Sequence, residues 1–388
     1  MIKTHPGFRI FILGAGFSQP AGLPLSTTLF TEVLNCIESR YGLETKLHKD
    51  LEDYIEYRKV CDGLDLRADE VNLEELMSFL DIEHFLRLRG SKTWSQEGNE
   101  AQLMIRKAIG DVIHKKTPPA DCLPDVYYQF AKNLSLHDIV ITLNYDILLE
   151  RALDYIGKPY RLIPHRFSQV GHSANTIDSD VKEIVILKLH GSVDWFDNRQ
   201  FLESKAYLKE SGTTKSHIHS VFDDPKRYDA EPIAQGPRSL DDPLLHIYRI
   251  KGVDEYYLND RDFNAPFILS PSHIKYIYAQ PLLSFWEGIG RSGGANLGIS
   301  IVGFSLPIHD EYIRIVLYQM ISNYQQVWWG QSILGVKKDK VRMVDFHSSK
   351  KDIAAYKSRY GFVDSSKTEY MFDGFNDESI NFLFDNIT

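Results

Sequence analysis

The sequence predicts an α/β fold, a Rossmann-like, mainly parallel sheet with helices on both faces. Three observations predict it. Short β-branched apolar runs recur along the chain, helical patterns separate many of them, and the first run ends in a glycine-rich loop. Two stretches break the alternation, one a helical insertion and the other a second, irregular insertion. The expected core is therefore residues 1–40, 136–196 and 266–388, with the helical insertion at 41–135 and the irregular insertion, or lid, at 197–265.

Taken in order, the strand candidates are FRIFIL (8–13), DIVITL (138–143), EIVILKL (183–189), PFILS (266–270), LGISIVGF (297–304) and KVRMVDF (340–346). Their shortness and β-branched content favour strands buried on both faces over buried helix. LPLSTTLFTEVLNCIESR follows the first run, DILLERALDYI the second, and HDEYIRIVLYQMISNY the fifth, each with helical spacing. Within 41–135, VNLEELMSFLDIEHFLRLR and NEAQLMIRKAIGDVIHKK have the same spacing, and the Pro118-Pro119 pair ends the second. Residues 197–265 are polar and aromatic, with few clear periods.

Composition excludes several classes of function. A net charge of −9 gives no global basic field to draw the chain onto nucleic acid. Cys36, Cys61 and Cys122 form no CxxC pair, which argues against a zinc ribbon and a disulfide framework. No window offers the roughly eighteen apolar residues of a membrane span, and MIKTHPGFRIFILGAG lacks a long apolar leader. The expectation is a cytoplasmic protein without direct nucleic-acid or membrane contact.

Ligands of open parallel sheets settle beyond the carboxyl ends of the strands. After FRIFIL comes GAGFSQPAGLP, with Gly14, Ala15, Gly16 and Ser18; after DIVITL, Asn144 to Asp146; after EIVILKL, His190 to Ser192; after GISIV, Gly303 and Ser305. Glycines let backbone amides approach a pyrophosphate. The loop is not the dehydrogenase fingerprint, because Gln19 stands where the third glycine belongs, and it is no Walker A loop, because no GK[ST] follows Gly22. Each residue also has a plain alternative: GAGFS as a tight turn, Asn144 as a cap for the helix starting near Asp146, His190 as a structural imidazole, Ser305 as a cap. A nucleophile elbow fails at Pro307, and the HIH at 217–219 lacks a third ligand of recognisable spacing. Convergence of the four strand ends is the signal.

The ordered set GAGFS…AGLP, TLNYD, LHGS and VGFSLP resembles the sirtuin NAD-binding core. More specifically, it is similar to the sirtuin-like NADases of bacterial antiphage defence, in which segments like EELMSFL (74–80), PFILSPSHIKYIYAQPLLSFW (266–286) and IVGFSLPIHDEYI (301–313) recur around the shared motifs. The likeness covers residues 8–30, 138–195 and 266–316. Departures from the protein deacetylases are plain. The paired cysteines of their zinc module are missing, Leu25-Ser26-Thr27 stand where they carry Asp-Phe-Arg, and Leu143 stands where they carry Gln.

The resemblance implies NAD as substrate, with no metal. It implies that Asn144 positions water and ribose, that Asp146 contacts the nicotinamide amide, and that His190 is the general base. By the same resemblance, Gly14, Ala15, Gly16 and Ser18 cradle the pyrophosphate, and Gly303 and Ser305 hold the adenosine-side ribose. The implied function is an NAD+ glycohydrolase that depletes NAD+ during antiphage defence. Such an enzyme calls for control by homo-oligomerisation or by a separately encoded activator or sensor, such as a HerA-type ATPase or a short Argonaute-type protein. Two other readings stay open: a zinc-free sirtuin deacylase or ADP-ribosyltransferase, and a non-catalytic NAD or ADP-ribose sensor. All of them require the loops carrying Gly16, Asn144, His190 and Ser305 to border one crevice large enough for a dinucleotide.

Overall fold

The computed structural model describes residues 8–88, 98–178, 180–212, 221–223, 225–258, 264–289, 292–307, 310–331 and 337–384. Its centre is a seven-stranded sheet: β1 (Arg9–Leu13), β2 (Ile139–Thr142), β3 (Tyr160–Arg161), β4 (Ile184–Lys188), β5 (Gly298–Val302), β6 (Val341–Val344) and β7 (Thr368–Met371). The spatial order is β7-β6-β5-β1-β2-β4-β3, and every pairing is parallel. All residues of β1, β4 and β5 are buried. Covered on both faces, these strands read as unbroken apolar runs rather than as alternating ones.

The register fixes where their ends fall. Leu13 of β1 pairs with Val302 of β5 and Thr142 of β2, and Thr142 pairs with Lys188 of β4. The loops that begin at Gly14, Leu143, Leu189 and Gly303 therefore leave the sheet side by side. From β1 the chain winds one way through β2 and β4, and the other way through β5, β6 and β7. Because strand crossovers are right-handed, the connecting helices lie on opposite faces of the two halves. The β1–β5 boundary is the switch point where such sheets open a crevice.

Two ion pairs pin the central strands. Arg9 reaches Asp138 from the start of β1 (3.4 Å) and donates its backbone N–H to the same carboxylate at 3.0 Å. At the other end of the sheet, fully buried Lys188 meets Glu150 at 2.8 Å.

Five of the six expected strands are present; PFILS is not one of them. Its residues run extended past the end of β4 and form a single antiparallel bridge, Gly191 to Ile268. Two edge strands, β3 and β7, have no apolar run to announce them. The helices Lys46–Asp62, Leu73–Phe85 and Glu100–Lys116 share one apolar cluster with the sheet, through Leu47, Leu51, Leu76, Ile105 and Ile109. Beyond β4, Trp195–Asp197, Ile247–Ile250 and Ala230–Pro232 form a small antiparallel sheet. It has its own cluster of Phe196, Val221, Phe222, Tyr228, Ile250 and Tyr256. Strands of three or four residues are too short to show a period, so this stretch reads as irregular.

Among the described residues no helix is long and apolar enough to cross a membrane. The HIH at 217–219 lies outside the described residues.

Candidate active site

At the switch point lies a crevice of about 160 Å³, lined by residues from all four of the strand ends singled out in the sequence. Gly14, Ala15, Ser18, Asn144, Asp146, His190, Gly303 and Ser305 all line it. Gly16 does not. Its N–H donates to the Gly303 carbonyl at 2.9 Å, and a β-carbon there would sit 2.6 Å from the Gly303 α-carbon. Gly303 has φ +63, and a β-carbon on it would sit 2.3 Å from the Phe17 nitrogen. Gly16 thus serves the close packing of two loops. The amides of Gly14 and Phe17 are likewise taken, by Val302 and Gly14 carbonyls (2.9 Å each). Of the loop expected to cradle a pyrophosphate, these three amides are already used by the protein.

The polar groups form a chain with defined directions. Asn144 Nδ2 donates to the Gly14 carbonyl (2.8 Å) and to Ser18 Oγ (3.0 Å), and Ser18 Oγ donates to Asp146 Oδ2 (2.6 Å). Asp146 Oδ1 accepts the N–H of Leu148, first residue of the helix Leu148–Tyr155, at 3.1 Å. That bond is an Asx turn leading into the helix, whose N-cap position is Ile147. Asn144 bonds no helix amide, and the alternative role for Asn144 as a helix cap is overturned. Among the described residues, Asn144 Oδ1 accepts no hydrogen bond, so it is free for water or a ribose hydroxyl.

His190 is 5% exposed. Its Nδ1 lies 3.1 Å from the Leu143 carbonyl and its Nε2 2.7 Å from the Tyr312 hydroxyl. A carbonyl only accepts, so Nδ1 carries the proton and Nε2 accepts from Tyr312. Burial, reinforced by the Lys275 charge, pushes the imidazole well below its usual range, against the opposing Leu143 hydrogen bond. Burial holds the Tyr312 phenol well above its own range, so it stays a donor. His190 is thus neutral at neutral pH with the correct tautomer for a base, but its base nitrogen is occupied.

Gly191 explains the sharp turn after β4. Its φ is +80, and a β-carbon would lie 2.1 Å from the Phe267 carbonyl oxygen, because the extended 267–269 segment crosses there. Ser192 N–H donates to Phe267 (3.0 Å) and Leu269 N–H to His190 (2.8 Å). This crossing delivers the following turn, which begins with Lys275, to the crevice.

The sequence motifs assign no role to Glu74, Tyr145, Lys275, Asp310 and Tyr312. All but Tyr312 line the crevice. Lys275 Nζ pairs with Asp310 Oδ1 at 3.0 Å, both nearly inaccessible to solvent. Tyr312 packs edge-on to Trp286, with ring centroids 5.4 Å apart, and the Lys275 ammonium lies 5.6 Å from its ring. Except for Tyr145, these residues fall in the three segments that the motif resemblance singled out, though nothing in it pointed to individual side chains. Leu23, Leu29, Leu73, Ile113, Leu143 and Phe304 supply an apolar wall.

The crevice is smaller than the roughly 300–1,000 Å³ of typical small-molecule sites. The expectation of a dinucleotide-sized opening is not met in this conformation. The glycine contacts, the Lys275–Asp310 pair and the Tyr312–His190 hydrogen bond draw its walls together. A larger groove, about 380 Å³, lies against Gly157–Leu162 and holds none of the expected site residues. Its charged groups are engaged: Arg249 with Asp194, Lys251 with Glu231, Arg161 with Glu183, and Lys158 with the Ala131 and Lys132 carbonyls.

Residues 138–231 match the SIR2-like domain family, a span that contains Asn144, Asp146 and His190. No curated protein matches the chain in sequence. Similar solved structures include a sirtuin studied for substrate affinity, 14% identical, covering 97% of this chain and 92% of that one with a TM-score of 0.35. Another concerns the mechanism and regulation of Sir2 enzymes (13% identical, 98% and 92% covered, TM-score 0.35). A third is Sir2 with a p53 peptide and NAD+ (13%, 96% and 90%, TM-score 0.32).

Proposed function

We propose that the chain is an NAD+ glycohydrolase, which cleaves the nicotinamide–ribose bond to give nicotinamide and ADP-ribose. The observation that carries the reading is the meeting of Asn144, Asp146 and His190 with Gly14, Ser18 and Gly303 in one crevice at the switch point. Nicotinamide leaves its ribose as a neutral molecule, so the step needs no strong acid. Positive charge then develops on the ribose, as in other glycosidic cleavage. Glu74 and Asp146 place negative charge in the lining, which favours the cationic ring and the transition state, while the charge of Asp310 is balanced by Lys275. Each Asp146 oxygen keeps a lone pair beyond its present bond, which leaves the carboxylate able to accept from the nicotinamide amide.

Asn144 Oδ1 orients the attacking water or a ribose hydroxyl. The water adds to the anomeric carbon and loses its proton to His190 Nε2 once Tyr312 has released it. A depressed imidazole is a weaker base, but it is deprotonated throughout the neutral range, so no fraction of the enzyme idles as imidazolium.

The biological setting, NAD+ depletion in antiphage defence under control of a partner or of self-assembly, rests on the motif resemblance. Product analysis with NAD+ labelled in the nicotinamide and adenylate halves tests the reaction. Equal release of nicotinamide and ADP-ribose supports hydrolysis. Label transferred to protein, or turnover that requires an acyl-lysine peptide, favours the transferase or deacylase, and binding without turnover favours the sensor.

A further inference from the structure

We propose that Lys275 is the group that binds the pyrophosphate of the dinucleotide, exchanging or sharing its present partner Asp310. The inference deepens the NAD+ reading and rests on it. A pyrophosphate brings two negative charges into a crevice whose described lining carries the carboxylates of Glu74, Asp146 and Asp310. Lys275 is the single Lys or Arg among the described lining residues. His190 cannot help, being held neutral between Leu143 and Tyr312. Of the loop amides, those of Gly14, Gly16 and Phe17 already donate to Val302, Gly303 and Gly14, and the remaining ones are uncharged donors that do not balance a pyrophosphate's charge. The helix Ala15–Ser18 is only four residues long and offers little dipole.

Lys275, by contrast, is placed for the task. It is 2% exposed, so its charge acts across a low-dielectric wall. Its ammonium has three N–H donors, and the Asp310 pair at 3.0 Å engages one oxygen. The pair is electrostatic and, among the described residues, forms no hydrogen bond at Asp310 Oδ1, so an N–H of the ammonium can turn to a phosphate oxygen while the pair persists. The Lys275–Asp310 pair also joins the 271–275 segment to the opposite wall of the crevice.

Calorimetry with ADP-ribose, alongside KM and kcat for NAD+, tests the assignment on the full chain. Lys275→Met should weaken ADP-ribose binding and raise KM roughly tenfold to a hundredfold, the worth of a hydrogen bond to a charged group, with a smaller change in kcat. Lys275→Arg should retain most of the binding. The double variant Lys275→Met/Asp310→Asn separates this role from a structural one. It removes both charges and restores folding, yet should still bind ADP-ribose poorly. Recovery of wild-type affinity in the double variant, or unchanged affinity in Lys275→Met, overturns the proposal. Failure of the wild-type chain to bind ADP-ribose overturns it as well. Wild-type binding that depends on Lys275 without any nicotinamide release would instead sink the glycohydrolase reading and leave the anion site standing.

Discussion

Replacing Tyr312 with phenylalanine removes one oxygen and leaves the ring in place against Trp286, with Lys275 at its face. That oxygen donates to His190 Nε2 at 2.7 Å, the nitrogen that must accept a proton during hydrolysis. A neutral hydrogen bond is worth a net 0.5–1.5 kcal/mol, on the order of magnitude that mutational series give. Breaking it before each turnover therefore slows the wild-type enzyme by up to about tenfold. Tyr312→Phe should raise kcat/KM for nicotinamide release by that factor. A second consequence has a definite sign. A donor to the lone pair stabilises neutral imidazole, so its loss raises the His190 pKa and moves the acid limb of the pH–rate profile to higher pH. The same shift is readable by NMR titration of the His190 ring without any turnover. Lower kcat/KM in the variant, or an acid limb that does not move, would refute the reasoning and point to Tyr312 as a required proton relay.

Other consequences follow from the same geometry. Because His190 is held neutral in the fold, the unfolded chain binds more protons below pH 6.5. Its contribution to stability is then lost as pH falls through that value, at up to about 1.4 kcal/mol per unit. Urea unfolding at pH 7 and pH 5 should show a smaller difference for His190→Gln than for wild type. Gly303→Ala forces a β-carbon into the Phe17 backbone at positive φ, and its urea midpoint should drop by the equivalent of about 2 kcal/mol or more. Glu150→Ala strands the Lys188 ammonium at full burial and should cost about 3–5 kcal/mol, whereas Glu150→Leu with Lys188→Met should recover most of it in the same assay.

The sequence made the parts of this site legible where chemistry and backbone geometry coincide. Strands β1, β2, β4, β5 and β6 are covered on both faces, so burial itself writes them as apolar runs. The residues after four of them are short and polar because the loops meet there. Edge strands carry no such pressure: Tyr160–Arg161 is two residues, and Thr368–Met371 reads TEYM. PFILS looked like a strand because it is buried, yet it is held by the Gly191 turn and not by a ladder. The groups that close the crevice were out of reach for a different reason. Lys275, Asp310 and Tyr312 meet His190 across separations of 85 to 122 residues, and a lysine, an aspartate or a tyrosine on a helical turn has no local pattern to mark it. Gly16 shows the converse. Its presence in the motif was visible, but its purpose, room for Gly303, appears only when two distant loops are brought together.

Nicotinamide release measured side by side for wild type, Asn144→Ala and His190→Ala tests the central claim most directly. The wild-type chain should turn over NAD+ and each variant should lose roughly 10²–10⁴-fold, with thermal unfolding showing that both remain folded. Folded variants that release nicotinamide at the wild-type rate would contradict it.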